Sequence, residues 1–205
     1  MKTRFWIQWT LLSTAIITTT YLVSLIVVGI IHGAFGFDMQ SWGTPLSNTV
    51  MQIAGGAVIG AGTGLYQKLM LQKQFRVTPA WIYTLILGFV VTELVAGIVL
   101  WQMGLIRSQL RFIERDPLPE SLIFAFAGFV TGLFQWFLLR KSFTNSVFWI
   151  AASTLGWWLC VFSAYLLGLI DQGISVWGFI PGTLLYGAVT GATLLWIMKP
   201  VKVQD

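Results

Sequence analysis

The chain has 205 residues, of which 57% are hydrophobic and only 9% are charged, and its formal net charge is +5. A soluble domain carries about 25% charged residues, so this chain has too few charges to cover a surface that faces water. The composition excludes an ordinary soluble domain and predicts a protein embedded in lipid. The single cysteine, Cys160, excludes an internal disulfide and a thiolate metal cluster, and we expect it to pack as a small apolar residue.

Six stretches are long and apolar enough to span a membrane as a helix, which requires about 20 mostly apolar residues. In chain order they run approximately from Trp6 to Ile31, Ser47 to Leu71, Ala80 to Leu105, Ser121 to Leu139, Val147 to Ile170 and Trp177 to Met198. The first stretch is too long for a signal peptide and no cleavage motif follows it, so we expect a retained anchor. The prediction is an all-α polytopic membrane protein with a single transmembrane domain over residues 1–205.

The charges orient this predicted domain. Nine of the twelve basic residues precede span one or follow the even-numbered spans: Lys2, Arg4, Lys68, Lys73, Arg76, Arg140, Lys141, Lys199 and Lys202. The other three share a loop with Glu114, Asp116 and Glu120 on the opposite side. Lys and Arg accumulate on the cytoplasmic side of a membrane, which predicts that both termini are cytoplasmic. Because the cations are scattered over short loops, they do not predict nucleic-acid binding.

Tryptophans mark the predicted span ends. Trp6, Trp81 and Trp149 begin spans one, three and five, and Trp101 and Trp177 lie at the other face. Trp is enriched at membrane interfaces because its ring is apolar while its N–H is polar. We therefore expect all five indoles in the interfacial belts.

An internal repeat links the spans. The segment GLYQKLMLQKQF at 64–75 returns 68 residues later as GLFQWFLLRKSF at 132–143, and each copy leads into a helix that begins Trp-Ile. A shorter third copy is Gly187-x-x-Thr190-Gly191, and span one carries only Trp6-Ile7. We expect three parallel two-helix hairpin repeats, over about 6–75, 81–143 and 149–202, with approximate three-fold symmetry about an axis along the membrane normal.

Glycines at a spacing of four lie on one face of each even-numbered helix. They are Gly56, Gly60 and Gly64 in span two, Gly128 and Gly132 in span four, and Gly187 and Gly191 in span six. Small residues allow helix backbones to approach each other closely in lipid. We expect packing within the chain, and association with a second copy is the alternative. A cofactor slot has no support, and we predict no cofactor.

Four polar side chains are the candidates for chemistry within the membrane: Glu93, Gln52, Gln67 and Gln135. Glu93 lies midway along span three, where a charge costs at least about 2.5 kcal/mol and often marks a transport pathway. A protonated Glu93 that hydrogen-bonds a neighbouring helix is the structural alternative. We expect Gln67 and Gln135 to bond across to another helix or to cap a linker, and Thr63, Thr131 and Thr190 to bond a carbonyl of their own helix or a neighbouring helix.

Other features give weaker predictions. His32, at the outer end of span one, is either solvated or an axial ligand to haem or chlorophyll. The segment LIRSQLRFIERDPLPE at 105–120 is amphipathic and predicts a short helix in the headgroup plane, stopped by Pro117 and Pro119 before span four. No catalytic triad, zinc-protease motif, P-loop or dinucleotide fingerprint is present, which argues against an enzyme.

The repeated segments, with the closing YGAVTGATLLWIM, resemble a family of uncharacterised bacterial multi-pass membrane proteins that carry repeated G-L-x-Q-W-x-x-L-R segments. The resemblance covers roughly Gly56 to Met198 and implies a bacterial plasma membrane, with no known activity. The first copy departs from the motif, because Lys68 replaces the Trp and Gln72 replaces the Arg.

Two functions follow from these features. The first is a non-enzymatic structural, lipid-binding or partner-binding subunit whose spans pack against membrane lipids, other membrane proteins or copies of itself. The second is a small-solute or ion transporter or channel that uses Glu93. A transporter is expected to have a polar, hydrated seam through the bundle, whereas a binding subunit is expected to have a dry core.

Overall fold

The computed structural model describes residues 2–34, 45–102, 117–166 and 176–198. These residues form six helices: α1 (Lys2–Ala34), α2 (Pro45–Leu71), α3 (Ala80–Gln102), α4 (Pro117–Leu139), α5 (Phe148–Leu166) and α6 (Val176–Ile197). Each helix matches one of the six predicted apolar stretches to within a few residues, and the predicted ends at Leu105 and Ile170 lie outside the described residues. The all-α prediction is confirmed.

Prolines begin two of the helices. Pro45 and Pro117 are the first residues of α2 and α4, where a missing N–H costs nothing because that group has no partner within the helix. Pro119 also lies in the first turn of α4. The prediction that Pro117 and Pro119 stop a preceding segment before span four stays a prediction. The rest of the predicted amphipathic segment lies outside the described residues.

The helices form a closed ring. Each helix packs against its neighbours in chain order, and α6 also packs against α1. As a result α1, α3 and α5 begin at the end of the bundle where α2, α4 and α6 finish. We call this the basic end, because seven cations lie there: Lys2, Arg4, Lys68, Lys73, Arg76, Arg140 and Lys141.

The two loops at the basic end share a set of backbone hydrogen bonds at corresponding positions. In the first loop, Gln74 N–H and Phe75 N–H donate to the Leu71 carbonyl at 2.8 and 3.0 Å. In the second loop, Ser142 N–H and Phe143 N–H donate to the Leu139 carbonyl at 2.9 and 3.0 Å. The two phenylalanine rings then meet edge to face, with centroids 5.1 Å apart. The loops at 72–79 and 140–147 therefore turn the chain in the same way and contact each other.

Large aromatic side chains are prominent in the interior of the bundle, and large apolar side chains also cover its outside. The largest fully buried residues include Trp9, Trp81, Trp149, Trp157, Phe89, Phe179 and Tyr186. In contrast, Ile30 is 65% exposed and Leu166 is 71% exposed, and large apolar side chains are exposed on every helix. Soluble monomers rarely expose contiguous apolar patches of this kind, whereas a surface in contact with lipid requires them.

Four helices are long and apolar enough to cross a membrane, judged over the described residues: Lys2–Ala34, Ser121–Leu139, Phe148–Leu166 and Phe179–Ile197. The segment Ala80–Ala96 of α3 is apolar but shorter. The glycine-rich α2 is not among the four. The lengths and the apolar outer surface together define a helical membrane protein.

Candidate functional site

Helices α2 and α3 meet at two of the predicted glycines. A methyl group on Gly60 would lie 2.8 Å from the Leu85 carbonyl oxygen, and one on Gly64 would lie 2.9 Å from the Cα of Ile82. Both distances are shorter than real side chains tolerate. The two backbones are in direct contact here, which is how helices associate in lipid through small residues.

Helices α4 and α5 repeat this contact. A methyl group on Gly128 would overlap the Ser153 carbonyl oxygen and lie 2.8 Å from the Cα of Thr154. One on Gly132 would lie 3.1 Å from the Cα of Ile150. The contacted positions are 68 residues beyond those contacted by Gly60 and Gly64.

The predicted glycines of α6 lie against α1. A methyl group on Gly187 would lie 2.8 Å from the Cα of Thr10, and one on Gly191 would lie 2.8 Å from the Cδ1 of Trp9. The indole N–H of Trp6 donates to the Ala188 carbonyl at 3.0 Å and joins the same two helices. Glycines in all three even-numbered helices therefore face another helix of the same chain.

Glu93 lies against α2. A methyl group on Gly56 would be 3.2 Å from its Cγ and 3.8 Å from its Oε1. The Glu93 side chain is half-buried, and no hydrogen bond or ion pair joins it to any residue that the structure describes. Gln52, one turn before Gly56, is also half-buried. The expected hydrogen bond from Glu93 to a neighbouring helix is thus not found in the described part of the chain.

Gln67 and Gln135 form the centre of a buried polar junction. The Gln135 Nε2 donates to the Gln67 Oε1 at 3.0 Å, which joins α4 to α2. The Gln67 Nε2 donates to the Tyr186 hydroxyl at 2.9 Å, which adds α6. Both amides are no more than 1% exposed. Side chains of all three even-numbered helices, Gln67, Gln135 and Tyr186, therefore meet in the interior. From the sequence, we predicted only that each glutamine bonds another helix or caps a linker.

Two tryptophans complete this junction. Trp81 Nε1 donates to the Gln67 Oε1 at 3.0 Å, and Trp149 Nε1 donates to the Gln135 Oε1 at 2.8 Å. The prediction that these indoles lie in an interfacial belt is wrong, because they are 1% and 0% exposed. The glutamine carbonyls satisfy the indole N–H groups, so the rings can be buried. The shared spacing of 14 residues between Gln and Trp in both copies is the signal that could have revealed this pairing.

A second buried polar cluster joins α1, α2 and α6, and sequence reasoning missed it. Trp9 Nε1 donates to the Thr190 hydroxyl at 3.0 Å, and the hydroxyls of Ser13 and Tyr66 are hydrogen-bonded to each other. The Trp9 and Tyr66 rings lie 5.5 Å apart, which links the two bonds. These contacts tie the first helix into the ring from both sides.

The three predicted threonines behave differently. Thr131 and Thr190 each donate to the carbonyl four residues earlier in their own helix, both at 2.7 Å, as expected. The hydroxyl of Thr63 is buried and has no hydrogen-bonding partner among the described residues, so the prediction for this residue is not met. The indole N–H of Trp157 is likewise buried without a partner in the described ranges, although its ring packs edge to face on Phe89 at 5.0 Å.

The remaining candidate residues do not assemble into a reactive site. Cys160 is a free thiol, fully buried among apolar side chains, in agreement with the prediction of a packing role. His32 lies half-buried in the last turn of α1. Within the described ranges, no group of three or more His, Cys, Asp or Glu side chains could hold a metal ion. The side chains of Trp101 and Trp177 lie outside the described part of the structure.

Two grooves open on the outside of the bundle. The first, of about 610 Å³, lies on α4 and α5 and is lined almost entirely by apolar side chains, among them Leu122, Phe129, Ala151 and Trp158. The second, of about 470 Å³, lies between the beginning of α1 and the end of α6 at the basic end. It is lined by Lys2, Thr3, Trp6, Ala192, Leu195 and Trp196. Both grooves are accessible from the surroundings of the protein.

This arrangement defines a polytopic helical membrane protein with a filled interior. Comparison of the chain with protein-family models, with curated proteins and with solved structures found no match. The predicted resemblance to a bacterial family therefore stays a prediction.

Proposed function

We propose that this protein is an integral membrane protein with six spans, arranged as three parallel two-helix hairpins: α1 with α2, α3 with α4, and α5 with α6. The loops at 72–79 and 140–147 support this proposal because five backbone hydrogen bonds in and around them recur at a spacing of 68 residues. The close glycine contacts support it as well, since α2 packs on α3 as α4 packs on α5, and α6 packs on α1 in a similar register. The contact of α6 with α1 then closes the ring of three hairpins with approximate three-fold symmetry.

The basic end is proposed to be cytoplasmic. Every cation that the structure describes lies at this end, and no Asp or Glu of the described ranges lies there. The positive-inside rule favours this orientation. In a bacterial cell it corresponds to the plasma membrane with both ends of the chain in the cytoplasm.

Within the membrane, we propose a non-enzymatic subunit that binds lipids or partner proteins through its outer surface. The observation that carries this proposal is that the interior is occupied. The aromatic side chains pack on one another, and the buried amides, indoles and the Tyr186 hydroxyl bond each other across α2, α3, α4, α5 and α6. The two outward-facing grooves remain as surfaces that a second molecule can occupy.

Gentle detergent extraction followed by native mass spectrometry tests this function. We expect the full chain to carry lipid or protein mass that survives purification. A bare chain under every extraction condition, together with solute or ion flux in proteoliposomes, contradicts a binding subunit and favours transport.

The carboxyl of Glu93, which has no hydrogen-bonding partner among the described residues, favours the second candidate function, a small-solute or ion transporter or channel. A buried structural carboxyl normally has a hydrogen-bonding partner, whereas the Glu93 side chain packs against α2 at Gly56, a residue without a polar side chain. Its corresponding residue 68 positions on is Val161, so packing alone does not require an acid at this position.

Flux measurements on Glu93→Gln distinguish the two functions. Transport predicts that the variant folds and loses flux, while a binding subunit predicts no flux before or after the change. Glu93→Val introduces the residue that α5 carries at the corresponding position, Val161. This variant is the matched control for the shape of the site.

A further inference from the structure

The groove at the basic end differs from the groove on α4 and α5 in its lining. Ala192, Leu195 and Trp196 of α6 form one apolar wall. The opposite wall comes from the first turns of α1 and includes Lys2 and Thr3, a cationic and a polar residue. The groove is therefore amphipathic, with a cation at the rim and apolar surface along its length.

The position of this groove follows from the order of the helices. Loops of eight residues join α2 to α3 and α4 to α5 at the basic end, and their Phe75 and Phe143 rings pack together there. Helices α1 and α6 are not consecutive in the chain, so no short loop joins them. Among the described residues, no connecting loop covers their interface at the level where α2 is joined to α3 and α4 to α5.

Two indoles hold the shape of the groove. The N–H of Trp6 is bonded to the Ala188 carbonyl of α6, which fixes its ring between the two helices. The ring of Trp196 meets Phe148 of α5 edge to face, with centroids 4.7 Å apart, and is 40% exposed. The groove therefore has ordered aromatic walls and an open side.

The charges indicate the occupant. The described residues of the basic end include seven cations and no carboxylate, so an anion is favoured. The guanidinium of Arg140 already lies over the rings of Trp136 and Phe137, at 5.3 and 4.9 Å from their centroids. Lys2 lines the groove and is exposed, so it is available to a ligand. A molecule that matches both walls has an anionic head and an apolar chain.

We propose that the groove between α1 and α6 binds one anionic phospholipid, with its phosphate at Lys2 and an acyl chain along Ala192, Leu195 and Trp196. This inference rests on the proposed function and names its ligand class. The apolar groove on α4 and α5 has no charged lining residue and is expected to accept any acyl chain without regard to the headgroup. Anionic lipids attract Lys and Arg near the membrane surface, which gives the selectivity.

The test is native mass spectrometry of the delipidated full chain after addition of phosphatidylglycerol or phosphatidylcholine with identical acyl chains. We expect one tightly retained lipid, with phosphatidylglycerol preferred. Lys2→Gln is expected to weaken its retention about fivefold, the effect of losing one cation at a membrane surface. Lys73→Gln is the matched control, because Lys73 is exposed at the same end but does not line the groove.

A second pair of variants tests the location. Ala192→Trp fills the proposed groove, and Ala151→Trp fills the groove on α4 and α5; both alanines are exposed. Only Ala192→Trp is expected to abolish retention of the anionic lipid. Crosslinks from a photoactivatable phosphatidylglycerol are expected in peptides of α1 and α6.

Three outcomes overturn the inference while leaving the proposed function intact: equal retention of both lipids, equal losses in Lys2→Gln and Lys73→Gln, or a dimer mass that Ala192→Trp removes. The third outcome identifies a second copy as the occupant. Absence of any retained lipid or protein, combined with flux that depends on Glu93, instead overturns the proposed function itself.

Discussion

Replacing Gln67 with leucine is expected to destabilise the bundle through hydrogen bonding alone. The change removes three buried bonds, from Trp81, from Gln135 and to Tyr186. Leucine fits a position of this kind, since Leu194 is fully buried at the corresponding place in α6, three residues after the second glycine of the G-x-x-T-G motif. The packing cost is therefore small, and the lost bonds dominate.

The magnitude follows from the number of bonds. Hydrogen bonds between helices in a membrane protein contribute about 0.6 kcal/mol on average and up to about 1.7 kcal/mol each. Three bonds predict a loss of about 2 kcal/mol in the free energy of unfolding, rising to about 5 kcal/mol at the upper value. Gln135→Leu removes two bonds and is expected to cost about two thirds as much.

The assay is reversible unfolding in mixed detergent micelles, followed by tryptophan fluorescence. Gln72→Leu is the control, because Gln72 is exposed in the loop at the basic end. In a double-mutant cycle, Gln67→Leu and Gln135→Leu are expected to be less than additive by about one bond, or about 0.6 kcal/mol, since both variants break the bond that they share. A Gln67→Leu protein as stable as the Gln72→Leu control, or strict additivity in the cycle, refutes the reasoning.

Three further changes test the packing, the orientation and the indole bonds. Gly128→Ala is expected to lower the free energy of unfolding by about 1–3 kcal/mol, because its methyl group would overlap the α5 backbone. Gly29→Ala is the control in the same unfolding assay and is expected to be neutral, because Gly29 has open space around it. Cysteines introduced at Lys73 and Lys141 are expected to react with a membrane-impermeant thiol reagent from the same side of the membrane; reaction from opposite sides contradicts the proposed topology. Trp149→Phe is expected to cost about 1–3 kcal/mol, because it leaves a buried glutamine oxygen without a donor, and an unchanged stability argues against the indole bond.

Much of the fold could be predicted from local pattern. An apolar run long enough to cross a membrane forms a helix, because backbone groups in lipid have to bond within their own segment. For this reason the six helices begin close to the predicted positions, and Leu71 and Leu139 were predicted as the last residues of α2 and α4 without error. The glycine stripes could also be predicted from the sequence, since a spacing of four defines one helix face whatever the helix packs against.

Only part of the candidate site could be predicted from the sequence. Gln67 and Gln135 were recognisable as rare amides in apolar helices, but nothing in their surroundings in the sequence showed that they bond each other. Trp81 and Trp149 were assigned to the membrane interface, since a tryptophan at the start of a span has the same sequence pattern whether its ring faces headgroups or a buried amide.

By itself, the sequence determined that this protein is helical and embedded in lipid. Composition and the length of apolar runs are properties of the chain alone, and they decide which solvent and which secondary structure suit it. The tertiary structure alone decided which way the polar side chains face. Gln67 meets Tyr186 across 119 residues, and Trp9 meets Thr190 across 181 residues, distances over which helical periodicity carries no information. These contacts exist because α6 closes the ring against α1, and the same closure leaves open the groove where we place an anionic lipid.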